Sequence, residues 1–168
     1  LFFATGGYAG FAAAWFADLA RKFRSVSIRE RWTGGGFVGS VMGMGMAAGG
    51  FPCSGTVGAG VLILLSVFSV YFCGRAESVL QVKDDPRIIL DEILGYLFSV
   101  SFLTVGSLQG NWTVLLAGFV LFRGFDVLKV PWPGAQKIRG GMGVVLDDVL
   151  AGITANLVIR FAVLPFIK

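Results

Sequence analysis

The segment Phe122-Arg123-Gly124-Phe125-Asp126-Val127-Leu128-Lys129, followed by Gly140-Gly141-Met142-Gly143-Val144-Val145-Leu146-Asp147-Asp148-Val149-Leu150-Ala151-Gly152, decides how the chain is read. It joins charges at three-residue spacing to a glycine cluster and an acidic pair, which opens an apolar run ending near Ile167. Residues three apart are neighbours on one helical face, so Arg123, Asp126 and Lys129 form a charged strip. Seven of the ten acidic residues fall at Asp84, Asp85, Asp91, Glu92, Asp126, Asp147 and Asp148, in a chain that is 55% hydrophobic and only 14% charged. Charge near lipid is costly, and such clustering points to something bound there.

Working outward, 168 residues suit a single domain, 1–168, and the composition is too apolar for a soluble domain of that size. The expected class is all-α: a multi-pass transmembrane helical bundle. Histidine is absent, which removes imidazole bases, phosphohistidine and histidine metal sites. Cys53 and Cys73 match no metal or redox spacing and read as free thiols. The net charge of +4 is a topology signal and not a nucleic-acid signal, because twelve of the fourteen basic residues lie in three short segments between apolar runs. Residues 1–20 lack a basic leader and contain Asp18, so no cleaved signal peptide is expected; native residues are expected ahead of Leu1.

Residues 1–20 either span or lie in the interface, and they end in the basic segment Arg21, Lys22, Arg24, Arg29, Arg31. Eight glycines between 34 and 50 weaken a helix yet suit close packing in lipid, so whether 34–51 crosses stays open. Residues 57–73 are uncharged and would reach about 25 Å as a helix. Asp85-Pro86 reads as an N-cap with proline at the first helical position, opening a helix that continues to Gln109. A break at Gly110-Asn111 and a return from Thr113 towards Leu128 make a hairpin. Two crossings then bring Asp91 and Glu92 to the same face as Arg123 and Asp126, and Asp147-Asp148, read as the start of the last helix, join them there. The flanking basic residues Arg75, Lys83, Arg87, Lys137 and Arg139 make that face cytoplasmic.

Five carboxylates at one depth repel unless a cation intervenes, and hard oxygen donors suit Mg²⁺ or Mn²⁺. Arg123 and Lys129 add phosphate-binding capacity, and Gly140, Gly141 and Gly143 would let backbone amides approach a phosphate at a helix N-terminus. The combination suggests metal-assisted phosphoryl chemistry at a membrane surface. Plainer roles compete for several residues. Asp85 and Asp147 serve as helix caps, Asp148 as an ion-pair partner of Arg123 or Lys129, and Arg160 as the partner of a buried acid. Gly152 with Ala151 and Ala155 reads as a helix-packing surface, and Trp112, Trp132 and the sixteen Phe as lipid-facing or interfacial anchors.

Three ordered blocks carry a resemblance: Asp85-Pro86 with Ile88-Ile89-Leu90-Asp91-Glu92-Ile93-Leu94-Gly95, the 122–129 block with Pro131-Trp132-Pro133, and the 140–152 block. Together they resemble the phosphatidylglycerophosphatase A family over roughly residues 47–160, with residues 1–46 atypical. The resemblance implies an all-helical, Mg²⁺-dependent phosphatase of the bacterial inner membrane that converts phosphatidylglycerophosphate to phosphatidylglycerol and phosphate. By position it makes Asp91, Glu92, Asp126, Asp147 and Asp148 the acidic motif residues and Arg123 and Lys129 the basic ones. The expected roles are Asp91, Glu92, Asp147 and Asp148 on the metal, Asp126 and Asp148 in catalysis, and Arg123, Lys129, Gly141 and Gly143 on phosphate. Ser54-Gly55-Thr56-Val57-Gly58 departs from the family's Pro-Gly-Thr motif, which leaves Thr56 doubtful.

The expected partners are a phospholipid substrate and the membrane, with no nucleic acid and a homo-oligomer left open. Two other classes stay open at this point: an ion-coupled transporter, which would put the acids at mid-bilayer, and a catalytically inactive structural homologue. Direct water attack and a carboxylate nucleophile both remain open as mechanisms.

Overall fold

The computed structural model describes residues 1–12, 15, 34–81, 85, 87–103, 107–129, 138 and 140–167. The basic segment 21–31, Asp84, Lys83, Pro86, the Pro131-Trp132-Pro133 motif, Lys137 and Arg139 lie outside these. Among the described residues every regular element is helical, with no strand. Five α-helices follow in order: α1 (Gly35–Ala48), α2 (Gly55–Leu80), α3 (Leu90–Val100), α4 (Trp112–Leu128) and α5 (Gly141–Val158). After α5 a π-helical turn, Ile159–Val163, and a 3₁₀ turn, Leu164–Phe166, prolong the same rod.

Glycines set how closely the helices approach. A Cβ on Gly152 of α5 would collide with the carbonyl of Gly95 of α3, and one on Gly95 would lie 2.7 Å from the carbonyl oxygen of Asp148. At the far end of the same pair, Asn156 Nδ2 donates to the carbonyls of Phe98 (3.3 Å), Ser99 (3.1 Å) and Ser101 (2.7 Å). Gly95 therefore faces Gly152 and Ser99 faces Asn156, so α3 and α5 run parallel in constant register. That register carries Asp91 to the level of Asp148. The helix α1 also runs parallel to α3, because a Cβ on Gly39 would meet Glu92 and one on Gly43 would meet Tyr96.

The other two helices return. Phe122 packs on Gly95 and Gly118 on Val100 and Ser99, which makes α4 antiparallel to α3. The buried Tyr96 hydroxyl donates to the Leu115 carbonyl at 2.9 Å and ties the two together. The end of α2 nearest Leu80 reaches α5, where a Cβ on Gly74 would lie 3.2 Å from the Gly141 nitrogen. Residues 34 and 80 thus come to the same end of the bundle. Between them α1 and α2 form an out-and-back pair.

The rod Gly141–Phe166 and α2 are each 26 residues, about 39 Å long, and both are apolar enough to cross a bilayer. Little of either is covered by protein. Only 22% of the apolar stretch of α2 and 28% of that of the last rod are buried, whereas the core helix of a soluble protein is mostly buried. Val57, Leu64, Val67 and Phe161 are each about 70% exposed, which suits a lipid-facing surface. Trp112 is exposed as expected.

Three expectations about helix ends are corrected. Asp85 caps no helix: its Oδ1 accepts from the Arg87 amide (3.0 Å) and Nε (2.8 Å), its Oδ2 from Arg87 Nη2 (2.6 Å), and α3 starts only at Leu90. The amides of Ile89 and Leu90 are met instead by the carbonyl of Ala4, so the first turns of the chain cap α3. Nor does α3 run to Gln109; it ends at Val100, where Ser101 is extended and Asn156 takes the freed carbonyls. The last helix begins at Gly141, two turns before Asp147, because Gly140 (φ 77°, ψ −175°) adopts a conformation that only glycine holds without strain. Both cysteines are free and buried, and α4 starts where expected, with the Asn111 side chain accepting from the Val114 amide.

Candidate active site

The register of α3 with α5 and the return of α4 gather the acidic residues at one end of the bundle. One carboxylate oxygen each from Asp91, Glu92 and Asp148 lie within 4.8 Å of one another, and the same holds for Asp126, Asp147 and Asp148. Asp148 belongs to both groups and joins them. Asp91 and Asp148 are only 4% and 5% exposed. So many carboxylates this close are stable only with positive charge among them.

Part of that charge comes from the protein. Arg123 Nη1 lies 2.6 Å from Asp126 Oδ2, while Lys129 Nζ lies 3.0 Å from Asp126 Oδ1 and 2.6 Å from Asp147 Oδ2. The backbone aims the lysine: Lys129 ends α4 in the left-handed conformation (φ 54°), and its amide bonds back to the carbonyls of Asp126 and Phe125. Asp126 and Asp147 thus each hold a base directly, and Asp148 lies in the same group. The Asp91, Glu92 and Asp148 group is different. Glu92 Oε2 is buried and accepts no hydrogen bond among the described residues.

This group fits a hard divalent cation. Its donors are all carboxylate oxygens at a spacing one ion could bridge, and the orphaned Glu92 oxygen would gain a partner from such an ion. A neighbouring feature was invisible in the sequence. A Cβ on Gly36, in the first turn of α1, would lie 2.8 Å from both Arg123 Nη1 and Glu92 Oε1. The missing side chain lets the guanidinium and the carboxylate lie against the backbone of α1.

Other expected site residues fall elsewhere or have another structural use. Gly141 is pressed against the Val70 carbonyl and Gly74 of α2, and Gly143 against the Ile138 carbonyl, so close packing accounts for both glycines. The Gly143 amide already donates to the Gly140 carbonyl at 2.9 Å. Thr56 is exposed in the first turn of α2, about 27 Å along that helix from Gly74, at the end remote from the acids. Arg160 pairs with no acid among the described residues and donates to the Phe102 carbonyl at 2.5 Å, because the π turn carries it to the end of α3. Asn156, missed in the sequence, is a lone amide in an apolar helix, and that isolation was the available signal.

The fold and site define an all-helical protein with two helices suited to a bilayer and a cluster of carboxylates at one end of the bundle. Comparison with known proteins agrees: the family model for phosphatidylglycerophosphatase A matches residues 5–163, and the chain belongs to that family. It is 33% identical over 105 residues to the phosphatidylglycerophosphatase A of Escherichia coli (strain K12), covering 60% of this chain and 58% of the relative. The Haemophilus influenzae phosphatidylglycerophosphatase A is 35% identical over 99 residues, covering 57% and 58%. A putative phosphatidylinositol-3-phosphatase of Bacteroides thetaiotaomicron is 31% identical over 107 residues, covering 62% and 64%. The matches thus span about three fifths of each of these relatives. No solved structure matches the chain.

Proposed function

We propose that this chain is a Mg²⁺-dependent lipid phosphatase that hydrolyses phosphatidylglycerophosphate to phosphatidylglycerol and inorganic phosphate. It works as a multi-pass protein of the bacterial inner membrane with its acidic pocket on the cytoplasmic side. Family membership and the names of two relatives support the substrate. The observation that carries the chemistry is the meeting of carboxylates from α3, α4 and α5 at the end of the bundle, with Glu92 Oε2 buried and unsatisfied. A cation pathway through the bilayer would instead need acids along the middle of the helices.

Asp91, Glu92 and Asp148 would hold Mg²⁺, and Asp147 is kept beside them by Lys129. The bound ion supplies charge neutralisation for the phosphoryl oxygens. Arg123 uses Nη1 on Asp126, which leaves its remaining N–H groups for the phosphate. Asp148 orients the attacking water and takes its proton as the water oxygen bonds to phosphorus. The ester P–O bond breaks, and the leaving glycerol oxygen is protonated from solvent. Asp126 holds Arg123 and Lys129 in place through both of its oxygens, and it joins the proton transfer only if one of those bonds opens.

The test is phosphate release by the purified full chain in detergent. Phosphatidylglycerophosphate and phosphatidylinositol 3-phosphate are offered separately with Mg²⁺. Preferential turnover of the glycerophosphate headgroup is expected. Turnover of the inositide alone would shift the assignment to the substrate in the third relative's name, and no release from either lipid would refute the phosphatase.

A further inference from the structure

Two carboxylate groups meet at Asp148, and they differ in what already stands among them. Asp91, Glu92 and Asp148 surround a buried oxygen, Glu92 Oε2, that accepts no hydrogen bond among the described residues. Asp126, Asp147 and Asp148 surround an ammonium: Lys129 Nζ lies 3.0 Å from Asp126 Oδ1 and 2.6 Å from Asp147 Oδ2.

We infer that Lys129 is the resident cation of the second group, so that the site takes one divalent ion and not a pair. The inference rests on the ion site proposed above. A second ion would need the oxygens that Lys129 and Arg123 already occupy. Asp126 has Arg123 Nη1 on Oδ2 and Lys129 on Oδ1, and Asp147 has Lys129 on Oδ2. A hard ion needs carboxylate oxygens free to turn towards it. The ammonium is also held from behind, because the left-handed Lys129 backbone bonds to the carbonyls of Asp126 and Phe125 and starts the side chain from a fixed point.

Where other phosphoryl-transfer sites clamp the reacting group between two metal ions, the second cation here is part of the polypeptide.

The stoichiometry is read by equilibrium dialysis of the full chain in detergent against Mn²⁺, with electron spin resonance counting free ion. One Mn²⁺ per chain is expected for the wild type and for Lys129→Arg, and two for Lys129→Met, whose second group has lost its cation. Two ions in the wild type or in Lys129→Arg would overturn the inference, whether or not Lys129→Met folds. One ion in a folded Lys129→Met chain would overturn it as well. No ion in the wild type would overturn the ion site itself, and with it this inference, which separates the two failures.

Discussion

Gly152→Ala tests whether the α3–α5 contact sets the spacing of the acids. The added methyl would collide with the Gly95 carbonyl oxygen, lie 3.0 Å from the Gly95 carbonyl carbon and 3.1 Å from Phe98 Cβ. The oxygen and carbon are backbone, so no side-chain rotation relieves the clash. Restoring ordinary contact parts the helices by roughly 1 Å, at an overpacking cost of about 1–3 kcal/mol. One turn away, Asp91 and Asp148 would move apart by a similar amount, which loosens the oxygens that one ion could bridge. A misplacement of that size costs roughly 100-fold in rate. Gly45→Ala is the control, since nothing lies within 4 Å of a Cβ there, and it should raise stability by about 0.5–1 kcal/mol with activity unchanged. Melting temperature and phosphate release are measured for both variants and the wild type. A Gly152→Ala chain with wild-type turnover would refute the coupling between the helix contact and the acids.

Two more outcomes follow. Gly36→Ala should lose at least about tenfold in phosphate release while its melting temperature stays near the wild type, because its methyl meets only side-chain ends, those of Arg123 and Glu92, and would push them off their places; equal activity would show that their placement there is not used. Arg87 beside Asp85 holds that carboxyl below the usual carboxylate range. The charged pair then stabilises the fold above the ordinary carboxylate pKa of about 3.9 and is lost as pH falls through the lower folded value. Wild type should out-melt Asp85→Asn by a constant margin from pH 8 to about 5, and the margin should shrink from about pH 4 downward. A margin independent of pH would refute the pair's contribution.

Much of the site was legible because charge is rare in this chain, so each acid amid apolar residues stood out. Counting crossings from Asp91 to Asp126 to Asp147 brought the acids to one end, and the spacing of Arg123, Asp126 and Lys129 anticipated both ion pairs on Asp126. Helix boundaries were less legible, for definable reasons. Asp85-Pro86 carries the local signature of a cap, but the Arg87 guanidinium competes for the same carboxylate and Ala4, more than eighty residues away, supplies the cap of α3. The glycines at 140, 141 and 143 suggested a phosphate loop, whereas tertiary contact with Val70, Gly74 and Ile138 gives two of them a packing use. Gly36 and Asn156 were missed because their importance lies in what a distant helix places beside them, and spacing along the chain holds no record of that.

The most direct measurement of the central claim is Mg²⁺-dependent phosphate release from phosphatidylglycerophosphate by the wild type and by Asp148→Asn, the residue common to both carboxylate groups. The wild type should lose activity to a chelator and recover it with Mg²⁺, while Asp148→Asn should be inactive at a near wild-type melting temperature. Release that is indifferent to chelator, or that survives Asp148→Asn, would contradict a shared carboxylate pocket as the seat of the chemistry.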